Sequence, residues 1–376
     1  MRSGHALRLA ALAAFTATSG LVWAQQLYHR PVYSDIRWLG RGGTGIALIS
    51  DGTAAFYNPG GLGKSDAYQI SLLNPAIGAN QNIYDSAMAF MDSSPETISE
   101  YLDPFMGIPL SAQATYFPYL RVPHFMAGYF IANAETLYLR NPVTPELNID
   151  YRKDSGIVIG GGYGIDDRFF VGASLRYQKR AMINDTLGGS IISDISLDTL
   201  LDEIKRGEGW GLNVGAQFRH ELGSDQAVHA GVAFEDVGRT TFRSQTTGRG
   251  APLTQATYAS AGVAYTGQVP GVSYAFLLDF KNLTYTGQSY SKKIHAGVEL
   301  AMPIVTVRGG LYQGYWSAGL STTIFPFLTL DLASYAEELG IGGGQHVNRY
   351  YMLGLQMSME LNQKKQRKQK YTLDHL

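Results

Sequence analysis

From about residue 67 to residue 361, apolar residues recur at every second position. This spacing marks β-strands with one apolar face, because successive side chains of a strand point to opposite sides. In the last stretch Tyr351, Leu353, Leu355, Met357, Met359 and Leu361 share one face, with Gly354, Gln356, Ser358 and Glu360 on the other. Leu212, Val214, Ala216 and Phe218 alternate with Asn213, Gly215, Gln217 and Arg219; Ile294, Ala296, Val298 and Leu300 alternate with His295, Gly297 and Glu299. The pattern predicts fourteen strands: Ala67–Ile77, then 110–119, 124–138, 150–163, 168–183, 209–220, 226–238, 255–266, 272–284, 292–302, 304–312, 316–325, 327–338 and 350–361.

Alternation alone suits a soluble sandwich equally well; the connections decide. Short links at 121–123, 166–167, 221–225, 267–271, 302–303 and 326 interleave with mostly longer ones at 78–109, 139–149, 184–208, 239–254, 285–291 and 339–349. Only 313–315 breaks the trend. Short turns at one end and long loops at the other, with an even strand number, predict an all-β, transmembrane antiparallel barrel. Its inward face would hold Arg176, Arg219, Glu235, Asp279, Lys281, Glu299 and Arg308, which should pair because buried charges need partners. Within the long links, Ser94–Met106 is expected to be a short helix with Pro95 at its first position. Ile192–Arg206 has a helical pattern suited to packing on the rim or to a lid.

Composition supports this picture. The 24 tyrosines suit membrane–water interfaces, where one end of the ring is apolar and the other wet. Residues 1–24 carry Arg2 and Arg8, an apolar run from Leu9 to Phe15, and Val22-Trp23-Ala24 before Gln25. Those features predict a secretory signal peptide at 1–24. With no cysteine, an exported chain draws its stability from burial and hydrogen-bonded closure. A net charge of −1 argues against nucleic acid as a partner. The tail 362–376, rich in lysine, reads as a basic periplasmic extension.

Between signal and strands lies Gly40–Gly63, GRGGTGIALISDGTAAFYNPGGLG, too glycine-rich for a stable helix and too short for its own core. Its Asp51 and its Thr53-Ala54-Ala55-Phe56-Tyr57-Asn58-Pro59 and Gly61-Leu62 runs resemble the hatch of the FadL-like long-chain fatty-acid transporter superfamily of outer-membrane β-barrels. Gly60 stands where that family usually has alanine. Lys293-x-His295-x-Gly297-Val298-Glu299, Arg308–Tyr315 and Glu337–Gly340 resemble the PorV/TraF-like branch. The resemblance implies an N-terminal hatch, 25–66, inside the lumen of a barrel spanning 67–361 in the outer membrane of a Gram-negative-type bacterium. By that likeness Gly42, Gly43, Gly45, Asp51, Asn58, Pro59 and Gly60 would gate passage. Phe90, Met91, Leu102, Phe105 and Met106 in the first long link would contact a ligand, although they equally suit packing of the loop helix.

Catalytic signals are absent. Gly40-x-Gly42-x-x-Gly45 fits a dinucleotide fingerprint by letters only, without a βαβ unit around it. The histidines show no metal-ligand spacing, and no cofactor is expected. Two functions follow: passive transport of hydrophobic, fatty-acid-like molecules, or a PorV-like barrel serving a secretion system through the basic tail. The partners expected are outer-membrane lipid and a hydrophobic ligand or detergent, with a periplasmic partner under the second reading.

Overall fold

The computed structural model describes residues 31–64, 67–92, 105–140, 146–188, 203–246, 250–339 and 347–360. Fourteen strands span the wall. β1 is Gln69–Leu73 continued by Ala76–Asn80, and β2 is Pro109–Tyr116 continued by Tyr119–Val122. Next come β3 (Phe125–Arg140), β4 (Glu146–Gly164), β5 (Phe169–Gly188), β6 (Lys205–Glu221) and β7 (Gln226–Glu235). They are followed by β8 (Tyr258–Val269), β9 (Val272–Phe280), β10 (Ile294–Ala301), β11 (Val305–Tyr312), β12 (Tyr315–Phe325), β13 (Leu328–Glu338) and β14 (Val347–Glu360). Each strand pairs antiparallel with its chain neighbour. The sheet shuts on itself: β14 meets β1 with Tyr350 opposite Asn80, Gly354 opposite Ala76 and Gln69 opposite Glu360.

Side chains sort as the alternation predicts, with the apolar set outside. On β14 Tyr351, Leu353 and Leu355 are exposed while Tyr350, Met352 and Gly354 are buried; on β9 Phe276, Leu278 and Phe280 are exposed while Ala275, Leu277 and Asp279 are buried. Such an apolar exterior is incompatible with water and suits lipid, where a closed sheet satisfies every backbone amide. None of the described helices is long and apolar enough to cross a membrane.

Several boundaries differ from those expected, each for a local reason. The 139–149 link shrinks because β3 and β4 stay paired up to Arg140 opposite Glu146. The exception at 313–315 is a tight hairpin: Tyr312 faces Tyr315, and both Gln313 (φ 52°) and Gly314 (φ 90°) are left-handed, matching the twist of the flanking strands. β7 ends at Glu235 because Asp236 turns left-handed (φ 50°). In the first long link a helix, α3, occupies Gln81–Asp92; the helix expected at Ser94–Met106 falls largely outside the described residues.

Residues 31–64 lie within the ring of strands. They fold as α1 (Ile36–Gly40), α2 (Ala54–Tyr57) and a 3-10 turn, Pro59–Gly63, and are buried almost throughout. Contacts reach round the wall: Ile36 meets Gly354 on β14, Gly40 meets Gly319 on β12, Ile46 meets Gly231 and Gly262 on β7 and β8, and Leu62 meets Gly160 on β4. Glycine on the inward face lets one backbone lie directly against another.

Candidate functional site

The segment inside the barrel is mostly irregular, so its amides need partners from the wall. Asp279 on β9 accepts from the N–H groups of Gly45 (2.7 Å) and Ile46 (3.1 Å). Ser317 on β12 accepts from the Gly42 N–H (2.8 Å), and His295 Nδ1 on β10 donates to the Gly42 carbonyl (2.7 Å). Gln217 on β6 donates to the carbonyls of Ile46 and Ile49, both at 3.1 Å, and Asn213 donates to that of Ala55 (3.0 Å).

Within the segment, Asn58 is the pivot. Its amide donates to the carbonyls of Ile46 (2.7 Å) and Ala216 (3.1 Å), while its Oδ1 accepts the Gly60 N–H (3.1 Å) and caps the turn that Pro59 opens. Gly60 has a steric cause: a Cβ there would lie 2.9 Å from the Ala216 Cα, so alanine does not fit this wall. Gly42 (φ 71°) and Gly43 (φ 74°) are left-handed. Asp51 accepts from the Thr53 N–H (2.9 Å) and pairs with Arg37 (2.7 Å), which also holds Asp35 (2.9 Å). Burial alone would raise the Asp51 carboxyl, but Arg37 and the Thr53 hydrogen bonds outweigh it and hold it below the usual carboxylate range.

Several of the inward charges pair. Arg41 of the segment lies against the Trp38 ring and pairs with Glu299 (2.8 Å), which Arg308 also reaches (2.8 Å). Towards the long loops, Arg176 pairs with Asp236 (2.7 Å), and Arg180 with Asp154 (2.7 Å). Arg219 meets Glu221 (3.2 Å) near the short turns.

Among the described residues, two cavities adjoin the segment. The larger, partly open one is lined by Tyr33, Phe56, Tyr57, Tyr258 and Tyr312 and by Arg176, Glu235, Asp236, Lys281, Lys292 and His295. The second is a small gap between Tyr33, Asp35, Ile36, Arg37 and Thr53 on one side and Asn74, Pro75, Ala76, Tyr119 and Gly354 on the other. Tyr33 borders both. Beside the second cavity the β1–β2 ladder is irregular, although the Pro75 and Pro118 carbonyls still accept from the N–H groups of Leu355 and Tyr129 on the neighbouring strands (both 3.0 Å). Pro75 and Pro118 bring no N–H to the ladder, and β1 and β2 both break there. The Asn74 side chain stands in for a peptide unit, accepting the Phe117 N–H (2.6 Å) and donating to the Phe117 carbonyl. Tyr33, Phe56 and Phe117 cluster with centroids about 5 Å apart: Tyr33 stacks on Phe56 at 4.9 Å, while Phe117 meets Tyr33 tilted at 5.3 Å and Phe56 edge-on at 5.0 Å.

Of the residues singled out in the sequence, Gly42, Gly43, Gly45, Asp51, Asn58, Pro59 and Gly60 all belong to the enclosed segment. Glu235 and Lys281 line the larger chamber. Phe90 and Met91 fall on α3, whose side chains there lie outside the described residues, as does Leu102. Phe105 and Met106 border neither cavity; Met106 bridges to Leu139 at the top of β3. Sequence reasoning did not single out Tyr33, Asn74, Ser317, Asn213 or Gln217. A usable signal for the wall partners was an amide or hydroxyl at an inward position beside glycine, as in Gly211-Leu-Asn213-Val-Gly215-Ala-Gln217.

No protein-family model and no curated protein matches the chain. Solved outer-membrane barrels of the FadL type are similar to it. A deltaS2 mutant of the TodX monoaromatic hydrocarbon channel shares 13% identity over 88% of this chain and 99% of that one, with a TM-score of 0.49. The Ralstonia pickettii toluene transporter TbuX shares 13% identity over 87% and 97%, at 0.45. A Pseudomonas aeruginosa FadL homologue shares 10% over 87% and 97%, at 0.33. The architecture rests on the strand register described above, and the likeness to the PorV/TraF-like branch stays with the sequence motifs.

Proposed function

We propose that this chain is an outer-membrane barrel for the passive passage of small hydrophobic molecules, with residues 25–66 as its hatch. One observation carries the reading: two cavities share Tyr33 in their linings, one among residues next to the long loops and the other beside the irregular ladder between β1 and β2. A molecule entering the chamber would cross the aromatic cluster of Tyr33, Phe56 and Phe117 and reach the irregular ladder between Asn74-Pro75 and Phe117-Pro118. The hatch stays anchored to the wall through Gly42 and Asn58, so the passage would be opened by local movement of aromatic rings. The charges around the chamber suit a cargo with an apolar body and a carboxylate, of fatty-acid type, with Lys281 and Lys292 facing the head group.

Uptake by proteoliposomes tests this. The protein should admit both toluene and a long-chain fatty acid, and Tyr33→Ala should speed entry several-fold by removing the ring that separates the cavities. Liposomes with and without the protein filling at one rate would overturn the transport reading. Admission of toluene alone would overturn the fatty-acid assignment. Nothing among the described residues favours a secretion partner.

A further inference from the structure

The outer surface of β4, β5 and β6 carries a second feature, independent of the passage. Reading up β6, the lipid-facing band begins near Phe218, whose ring lies 4.7 Å from that of Phe169 on β5, and ends at Trp210, whose ring lies 5.1 Å from that of Tyr177. At about 3.3 Å per residue and a tilt of about 40°, these two aromatic pairs stand roughly 20 Å apart, close to the height of a bilayer's apolar band. They mark the two interfaces.

Above the upper pair the outward positions become charged, with one anion, Glu208, beside three cations. Lys153 on β4 lies opposite Ala181 on β5, and Ala181 lies opposite Arg206 on β6, so two cations flank one small residue in a single row. Lys179, one outward position lower on β5, closes the notch from below. Lys153, Lys179 and Arg206 are all exposed, and none forms an ion pair among the described residues. The one carboxylate in register with Lys179, that of Glu208, is engaged by the Tyr177 hydroxyl and by Gln245 (2.8 Å). Three cations just beyond an aromatic girdle face the headgroup layer, where opposite charge comes as phosphate.

We propose that Lys153, Lys179 and Arg206, arranged round Ala181, dock the phosphate of a lipid headgroup in the leaflet on the long-loop side. The test uses the full-length protein in neutral detergent, titrated with diphosphorylated lipid A and with its dephosphorylated form. Wild type should bind the phosphorylated lipid preferentially. K153Q/K179Q/R206Q should weaken that binding on the order of a hundredfold, at about fivefold per cation, while Arg168→Gln at the opposite rim leaves it unchanged. Heat-modifiable migration confirms folding; if the triple variant does not fold, each single variant should show its fivefold loss. Equal binding of the dephosphorylated lipid, wild-type affinity in the variants, or displacement by millimolar inorganic phosphate would each overturn the proposal.

Discussion

Gly42 meets two demands at once. Its backbone is left-handed, and a Cβ there would lie 2.3 Å from the Ala296 carbonyl oxygen. Gly42→Ala should therefore cost at least about 1–2 kcal/mol from the dihedral alone, with the clash added. Its heat-modifiable transition should fall by several degrees, and an unchanged transition would show that the hatch does not press on β10 there. Asp51 gives a pH test with a defined sign. Its folded carboxyl is held below its ordinary value, so its contribution is complete above the unfolded value of about 3.9 and is lost as pH falls through the lower folded one. Protease access to residues 31–64 should be unaltered at pH 5 and rise only below about pH 4; a rise at pH 5 would contradict the Arg37–Asp51 pair as an internal brace of the segment. Lys292, at the chamber, is pushed down to about 8 by burial, against the opposing pull of Glu338 and Glu337. An anionic amphiphile bound there should weaken between pH 7 and 9, and Lys292→Met should reproduce the weak binding at pH 7 and flatten the profile.

Among the elements, β1 and β2 depart most from a regular ladder. Asn74→Ala removes the group that stands in for a missing peptide, leaving the Phe117 N–H and carbonyl without it, at a cost of about 1–3 kcal/mol. Amide exchange should quicken around residues 72–76 and 116–119 and stay unchanged on β4–β7; global acceleration would mean that the break supports the whole barrel. These interruptions also show what the sequence could carry. Period-two alternation marks each strand because lipid on one side and lumen on the other sort every residue. Tyr68 and Leu72 face out at even positions but Ile77 at an odd one, so the alternation changes phase at Asn74-Pro75; reading Ala67–Ile77 as one strand passes over that shift and over the proline that marks it. α3 has a legible start, since Asn80 accepts the Ile83 N–H (3.3 Å) as its N-cap, but the helix expected in that link is set at Ser94-Pro95 instead. The enclosure of residues 31–64 accords with their glycines, but their wall partners were not legible: Ser317, Asn213 and Gln217 are marked only by facing inward, and which backbone group each meets is set by tertiary structure.

At the level of the whole molecule, closure and filling depend on each other. β14 pairs with β1 to shut the sheet, and the lumen this creates is occupied by a segment whose Arg41 shares Glu299 with Arg308 of the wall. Buried charges arranged this way tolerate no loss of a single partner. Glu299→Gln should loosen the hatch without opening the sheet: protease access to residues 31–64 would rise while the heat-modifiable band persists. Passage past Tyr33 is the central claim, and the absence of native cysteine makes it directly testable. Uptake of toluene and of a long-chain fatty acid should be measured on a Tyr33→Cys/Phe117→Cys protein before bridging by a short bis(methanethiosulfonate), which forms a disulfide with each cysteine and releases methanesulfinate, after bridging, and after release by a reducing thiol. The account predicts uptake that stops on bridging and returns on release; uptake that continues unchanged through the bridged protein would contradict it.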